Sequence, residues 1–235
     1  MKRLTSFVAV VIFVAAVAAG VAAQQQQSNP TAPPQMQQQP AAAAAPRMPA
    51  SPRGLAATQV GGKWEPPAKP GDAPRATGWK WITVDYGRPI LRGRTDIFGS
   101  GPEYGKKVND DGPVWRVGAN QTTRFKTEVP LVFGGKTLPA GEYSMFVDLK
   151  PGAWTLIFSN QPYQTKYDPN NKAETWGAYN YDSKFDVLTV PMKVSKSAVS
   201  VDQFNIEFIN MTAGGGTLMM VWETTAASVP FKVAQ

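Results

Sequence analysis

The stretch EYSMFVDLKPGAWTLIFS, residues 142–159, decides the fold. Tyr143, Met145 and Val147 alternate with Ser144, Phe146 and Asp148, a period of two that suits a strand and not a helix. Lys150-Pro151-Gly152 breaks the run, because proline removes a backbone donor and glycine accepts a left-handed turn. Ala153 to Ser159 returns at strand length, so the segment reads as an antiparallel hairpin.

The same texture continues on both sides of this hairpin. Trp81 to Tyr86, Thr122 to Thr127 and Pro130 to Phe133 precede it, the last closed by Gly134-Gly135. Asp186 to Lys193, Val201 to Ile209, Thr217 to Thr224 and Ser228 to Val233 follow. Phe204, Ile206 and Phe208 share one face of their strand, and Gln203, Asn205 and Glu207 share the other. No helical period persists for three turns, and a parallel sheet would need crossover helices. The expectation is an all-β fold, a single antiparallel β-sandwich or jelly-roll-like domain over residues 77–235. The polar, aromatic segment Tyr163 to Tyr181 is too long for a plain turn and reads as a functional loop.

Upstream, Lys2 and Arg3 precede an uncharged apolar run from Phe7 to Ala18, and Val21-Ala22-Ala23 supplies small residues for cleavage. Residues 1–23 therefore read as a signal peptide, and the protein is expected to be exported, periplasmic or extracellular, with no membrane span after leader cleavage. Without cysteine, a lipid anchor is excluded. Residues 24–76 are rich in Gln, Pro and Ala and read as a disordered, semi-stiff low-complexity linker. Trp64 is the one aromatic in this segment and marks the expected first contact with the domain.

Composition removes several chemistries. The chain has no histidine and no cysteine, which excludes a Ser-His-Asp triad, a thiol nucleophile, a disulfide framework and a His- or Cys-ligated metal. No cofactor is expected. The net charge of +7 suggests nucleic acid at first sight. Seven of the 24 basic residues, against two acidic ones, precede residue 77, leaving 17 basic and 15 acidic in the domain. The domain is nearly neutral and shows no basic-aromatic footprint, so no nucleic-acid partner is expected.

Known motifs fail on spacing. Gly135-Lys136-Thr137 lacks the first glycine of a phosphate loop, since Pro130 stands there, and Gly99-Ser100-Gly101 meets Tyr104 where a dinucleotide fingerprint needs glycine. Asp110-Asp111 has no calcium-loop spacing around it and reads as a solvated turn. Asn120-Gln121-Thr122 and Asn210-Met211-Thr212 are glycosylation sequons, relevant only in a eukaryotic secretory host.

Arginines and aromatics at loop positions remain: Arg88 and Arg94, then Trp115-Arg116 through Asn120, then Trp176-Gly177-Ala178-Tyr179. These stretches, with Leu138-Pro139-Ala140-Gly141-Glu142-Tyr143-Ser144, resemble a bacterial family, the domain of unknown function 2911, over roughly residues 79–233. Gln121 stands where that family usually has glutamate, and Thr189 where it usually has arginine. The resemblance implies exported β-rich proteins and brings no established activity or ligand.

Arg88, Arg94, Arg116, Asn120, Trp176 and Tyr179 are expected at one end of the sandwich as a ligand-binding patch, since arginine forks suit carboxylate or phosphate and aromatic faces suit sugar rings or peptide side chains. In the bland alternative, Arg94 and Arg116 pair with Asp96, Asp182 or Asp186 to pin loops, and Trp115 and Trp176 cap the core. Three functions follow. The first is an exported non-catalytic domain of the cell envelope that binds an unknown small molecule, glycan or envelope protein. The second is a carboxylate- or tyrosine-dependent hydrolase or lyase of envelope or extracellular polysaccharide, drawing on Glu142, Asp148, Asp182 and Asp186. Glu142 and Asp148 cannot form its pair by themselves, lying about 20 Å apart on one strand. The third is a purely structural envelope protein. The first is preferred, the case for catalysis being weak but open.

Overall fold

The structure, a computed structural model, describes residues 50–110 and 112–235. The expected leader, residues 24–49 of the expected linker, and Asp111 lie outside the described residues. The strands among the described residues are, in chain order, β1 (Arg53–Val60), β2 (Lys63–Glu65), β3 (Arg75–Thr77), β4 (Lys80–Gly87), β5 (Thr123–Thr127), β6 (Leu131–Phe133), β7 (Lys136–Leu138), β8 (Gly141–Asp148), β9 (Thr155–Ser159), β10 (Asp186–Pro191), β11 (Lys193–Thr212) and β12 (Gly215–Val233). Six of them form one sheet in the order β1-β4-β5-β8-β9-β10, four form a second in the order β11-β12-β6-β7, and β2-β3 is a separate hairpin. Every neighbouring pair is antiparallel.

The two larger sheets pack as a sandwich because each strand presents its apolar alternates inward. Ile82, Val84, Phe125, Met145, Val147, Leu156 and Phe158 of the six-stranded sheet share one core with Leu131, Phe133, Phe204, Ile206, Leu218, Met220 and Phe231 of the four-stranded sheet. Burying a side chain of this size contributes about 1.5–3 kcal/mol each, so the fold needs no disulfide. The quoted hairpin forms as expected, with Met145 opposite Phe158 and Val147 opposite Leu156. Its other face is also covered. Phe146 and Ile157 pack with Val114 and Ala178, and Ser144 Oγ donates to the Gln161 carbonyl at 2.9 Å. The segment 161–181 is thus a lid over the outer face of β8 and β9.

Four departures from expectation have local causes. The domain begins before residue 77, because β1 lies inside the expected linker and pairs with β4 in register from Arg53↔Gly87 to Val60↔Lys80. Only Val60 of β1 is fully buried and Leu55 is exposed, so the strand is held by backbone pairing that composition does not encode. Trp64 is likewise exposed, on β2 opposite Ala76, and Val60 is the earlier residue in the core. The two strands expected over 217–233 are one, β12, which crosses Glu223 at φ 52 with register shifts against β11. A one-turn helix, Lys106–Asn109, stands where only loop was expected.

Candidate functional site

Two loops and one strand build a concave site at one end of the sandwich. The first loop follows β4 and carries Pro89 to Ile97. The second carries Lys107 to Asn120 and is fixed by reciprocal backbone bonds between Trp115 and Val147, at 2.8 and 2.9 Å. Trp222 comes from β12. The turn after Arg116 is held in a conformation the chain does not favour: Val117 has φ 52, Gly118 φ 151 and Asn120 φ 63. A β-branched residue at positive φ is a local strain of the kind concentrated at binding loops. Packing enforces it, since Ala119 O sits where a Cβ on Gly87 would lie, only 2.0 Å away.

Arg116 is the centre of this arrangement, 8% exposed. Its Nη2 donates to Asp110 Oδ2 at 2.8 Å and its Nη1 to the Asn120 carbonyl at 3.3 Å. Its guanidinium lies 5.4 Å from the Tyr179 ring centre, and the Tyr179 hydroxyl donates to the same Asp110 oxygen at 2.6 Å. The Tyr179 hydroxyl, followed by Arg116, holds the Asp110 carboxyl below its usual range. The same hydrogen bond pushes the Tyr179 hydroxyl up.

Beside this triad, on the Arg116 and Asp110 side, lies a cavity of about 240 Å³ whose lining includes Arg94, Lys107, Asp110, Trp115, Arg116, Asn120 and Trp222. Among the described residues, its lining holds three cations and one carboxylate. Arg94 is anchored by Nε to the Leu91 carbonyl at 2.9 Å and by Nη2 to the Ile90 carbonyl at 2.8 Å, with its guanidinium 5.8 Å from the Trp222 ring centre. The Lys107 ammonium donates to the Asp96 carbonyl at 3.1 Å. The indole N–H of Trp115 is buried without a partner among the described residues. A buried donor without an acceptor is costly, and this one lies in the aromatic core behind the cavity, against Phe98, Trp154 and Phe204.

The expected patch therefore divides. Arg94, Arg116 and Asn120 line this cavity. Trp176 and Tyr179 line a neighbouring one of about 270 Å³ with Gln164, Tyr167, Asp168, Pro169, Lys172 and Asn180. Arg88 lines neither, because its Nε and Nη2 reach across to the Phe204 carbonyl at 3.3 Å and Asn205 Oδ1 at 3.1 Å on β11, where it ties the two sheets. The expected loop-pinning pairs are also different. Arg116 pairs with Asp110 rather than Asp96, Asp182 or Asp186, and Arg94 uses backbone carbonyls. Trp115 is a core residue, as expected, whereas Trp176 is only partly buried, against the Tyr167 ring at 5.7 Å.

The carboxylates weighed for catalysis are engaged elsewhere. Glu142 accepts from Tyr163 and lies 3.4 Å from Arg124, Asp148 pairs with Lys150 at 3.0 Å, and Asp182 pairs with Lys184 at 2.6 Å. Asp186 accepts from the Tyr181 hydroxyl at 2.6 Å, and burial pushes its carboxyl up. Gln121 accepts from Arg53, where a glutamate would have formed an ion pair. Lys107, Asp110, Trp222 and Tyr167 were not singled out as binding residues. Asp110 carried a signal as an acidic doublet, but its partners, Arg116 and Tyr179, are six and 69 positions away.

Size alone does not choose the site. A larger cavity, about 550 Å³, is lined mainly by glycines and other small residues, with Lys232 as the one charged side chain among the described residues. A third, about 340 Å³, contains Arg53, Asp85 and Arg124, whose charges pair with one another. Among the described residues, the 240 Å³ cavity gathers the most cations, three against one carboxylate.

A family model described as "Protein of unknown function (DUF2911)" matches residues 70–231. No curated protein and no solved structure matches the chain.

Proposed function

Starting from the membership of this chain in the DUF2911 family, we propose that it is an exported, non-catalytic domain of the cell envelope that binds a small anionic ligand. The observation that carries this reading is the convergence of Arg94, Lys107 and Arg116 on one cavity where Asp110 is the one carboxylate among the described residues. Asp110 and Tyr179 hold Arg116 in place before any ligand arrives, so little ordering entropy remains to be lost on binding. A guanidinium carries five N–H donors, and Arg94 directs two of its nitrogens to backbone carbonyls. The remaining donors, with the Lys107 ammonium, suit a carboxylate or phosphate.

Export is inferred from the leader, Lys2 and Arg3 before the apolar run Phe7 to Ala18. The non-catalytic reading rests on the absence of His and Cys and on carboxylates already engaged by neighbours.

Thermal shift of the purified full chain against acetate, citrate, inorganic phosphate and neutral sugars tests the proposal. A ligand that binds only the native state stabilises it by about 2.7 kcal/mol at a hundredfold excess over Kd. An anion is expected to raise Tm, and the double variant Arg94→Ala/Lys107→Ala to abolish the rise while remaining folded. If no anion shifts Tm, or the double variant responds as the parent does, the cavity is not the binding site.

A further inference from the structure

We propose that the cavity beside the anion pocket holds a pyranose ring, so that the ligand is an acidic saccharide lying across both. This rests on the anionic reading of the first cavity. The wall between the two is built by Tyr179, Asp110 and Arg116, joined by the 2.6 and 2.8 Å contacts to one carboxylate oxygen. Each cavity, at about 240 and 270 Å³, is smaller than ordinary ligand pockets. Those begin at about 300 Å³, and the pair together reaches that range.

The second cavity has the surface a sugar ring needs. Tyr167 is 54% exposed and Tyr179 40%, the most exposed aromatics of the lid. The Tyr167 and Trp176 rings lie 5.7 Å apart at 48°, presenting two inclined faces to the C–H side of a ring. Polar groups surround them. Asp168 uses Oδ1 for the Asn170 N–H at 2.9 Å, and Asn180 uses Nδ2 for the Asn171 and Glu174 carbonyls. Asp168 Oδ2, Asn180 Oδ1 and the Lys172 ammonium thus offer acceptors and donors to ring hydroxyls, each of which can donate and accept. An acyl chain would leave these groups unpaired, at a cost.

The loop is also rigid before binding. Gln164, 3% exposed, donates to the Asn171 carbonyl at 3.0 Å and accepts the Asp168 N–H at 2.7 Å, stapling the lid from inside.

Isothermal titration of the full chain with trigalacturonate, maltotriose and acetate tests the assignment. Trigalacturonate is expected to bind at least about tenfold tighter than either of the others. Tyr167→Ala, at an exposed position, and Trp176→Ala should each reduce that advantage over acetate, with Trp176→Phe keeping most of it. Arg94→Ala/Lys107→Ala should weaken trigalacturonate and acetate alike. Trigalacturonate binding no tighter than acetate, or an advantage unchanged in Tyr167→Ala, overturns the saccharide while leaving the anion pocket standing. Maltotriose binding as tightly as trigalacturonate overturns the span across both cavities. If neither acetate nor trigalacturonate binds, the anionic reading itself fails.

Discussion

Arg116 illustrates how one side chain joins a structural ion pair to the cavity proposed for recognition. It is nearly buried, and its charge is matched by Asp110, whose own side chain is mostly exposed. Replacing Arg116 by alanine removes the charge-assisted bond and leaves the Asn120 carbonyl and Tyr179 ring without their cation. The expected loss is about 1.5–3 kcal/mol of stability in urea unfolding. A loss within error would show the pair to be ornamental. Two carboxyls should respond to pH in opposite senses. Asp110 is held below its usual value, so its stabilising contribution is present at neutral pH and is lost as pH falls through the folded-state value. Asp186 is pushed up by burial, so its contribution is complete in acid and is lost as pH rises through the folded-state value. Asp110→Asn should therefore lower Tm at pH 7 and converge with the parent near about pH 2. Asp186→Asn should fare better relative to the parent at pH 7 than near about pH 3. Parallel Tm–pH curves for parent and variants would contradict both assignments.

The strand β1 and the end of β4 control the site at the scale of elements. A chain beginning at residue 77 lacks β1, which exposes the outer edge of β4 and removes Val60 from the core. Unpaired edges template association. Such a chain is expected to have a lower Tm than one beginning at residue 50 and to elute partly as aggregate in size exclusion. Equal Tm and a monomeric profile would show β1 to be dispensable. Gly87→Ala drives a methyl into the Ala119 carbonyl, at 2.0 Å, so backbone must move. A cost of about 1–3 kcal/mol is expected, with weakened anion binding because the moved turn carries Arg116 and Asn120. Anion affinity unchanged in a folded Gly87→Ala variant would separate the turn from the site. The hairpin of β8 and β9 was legible because its alternation is local and ends in Pro151-Gly152. Strand β1 was not, since RGLAATQV has one core residue and is ordered by its partner. The one-turn helix carrying Lys107 was missed because four residues are too few for a periodic signal.

Across the whole molecule, the site rests on an aromatic core that reaches from sheet to loop. Trp115 packs at 5.0 to 6.0 Å against Phe204, Phe98 and Trp154, and Phe204 meets Trp222 at 6.0 Å. Trp115→Ala should cost about 3–5 kcal/mol. Trp115→Phe keeps a ring and deletes only an unpartnered buried N–H, so most stability should remain. A loss as large as that of Trp115→Ala in urea unfolding would contradict this. The sequence by itself determined the class of fold and the absence of thiol and imidazole chemistry, because these depend on residue type and short-range period. It also named Arg94, Arg116, Asn120, Trp176 and Tyr179 as loop residues suited to recognition. Only the tertiary structure separated Arg88 from Arg94: the two are six positions apart, yet one reaches across to β11 and the other lines the cavity. Only it brought Lys107 and Trp222 to the same cavity, 115 positions apart in the chain. Residue type sets what a group can bind, but strand register and loop path set which groups meet, and those are decided by long-range packing.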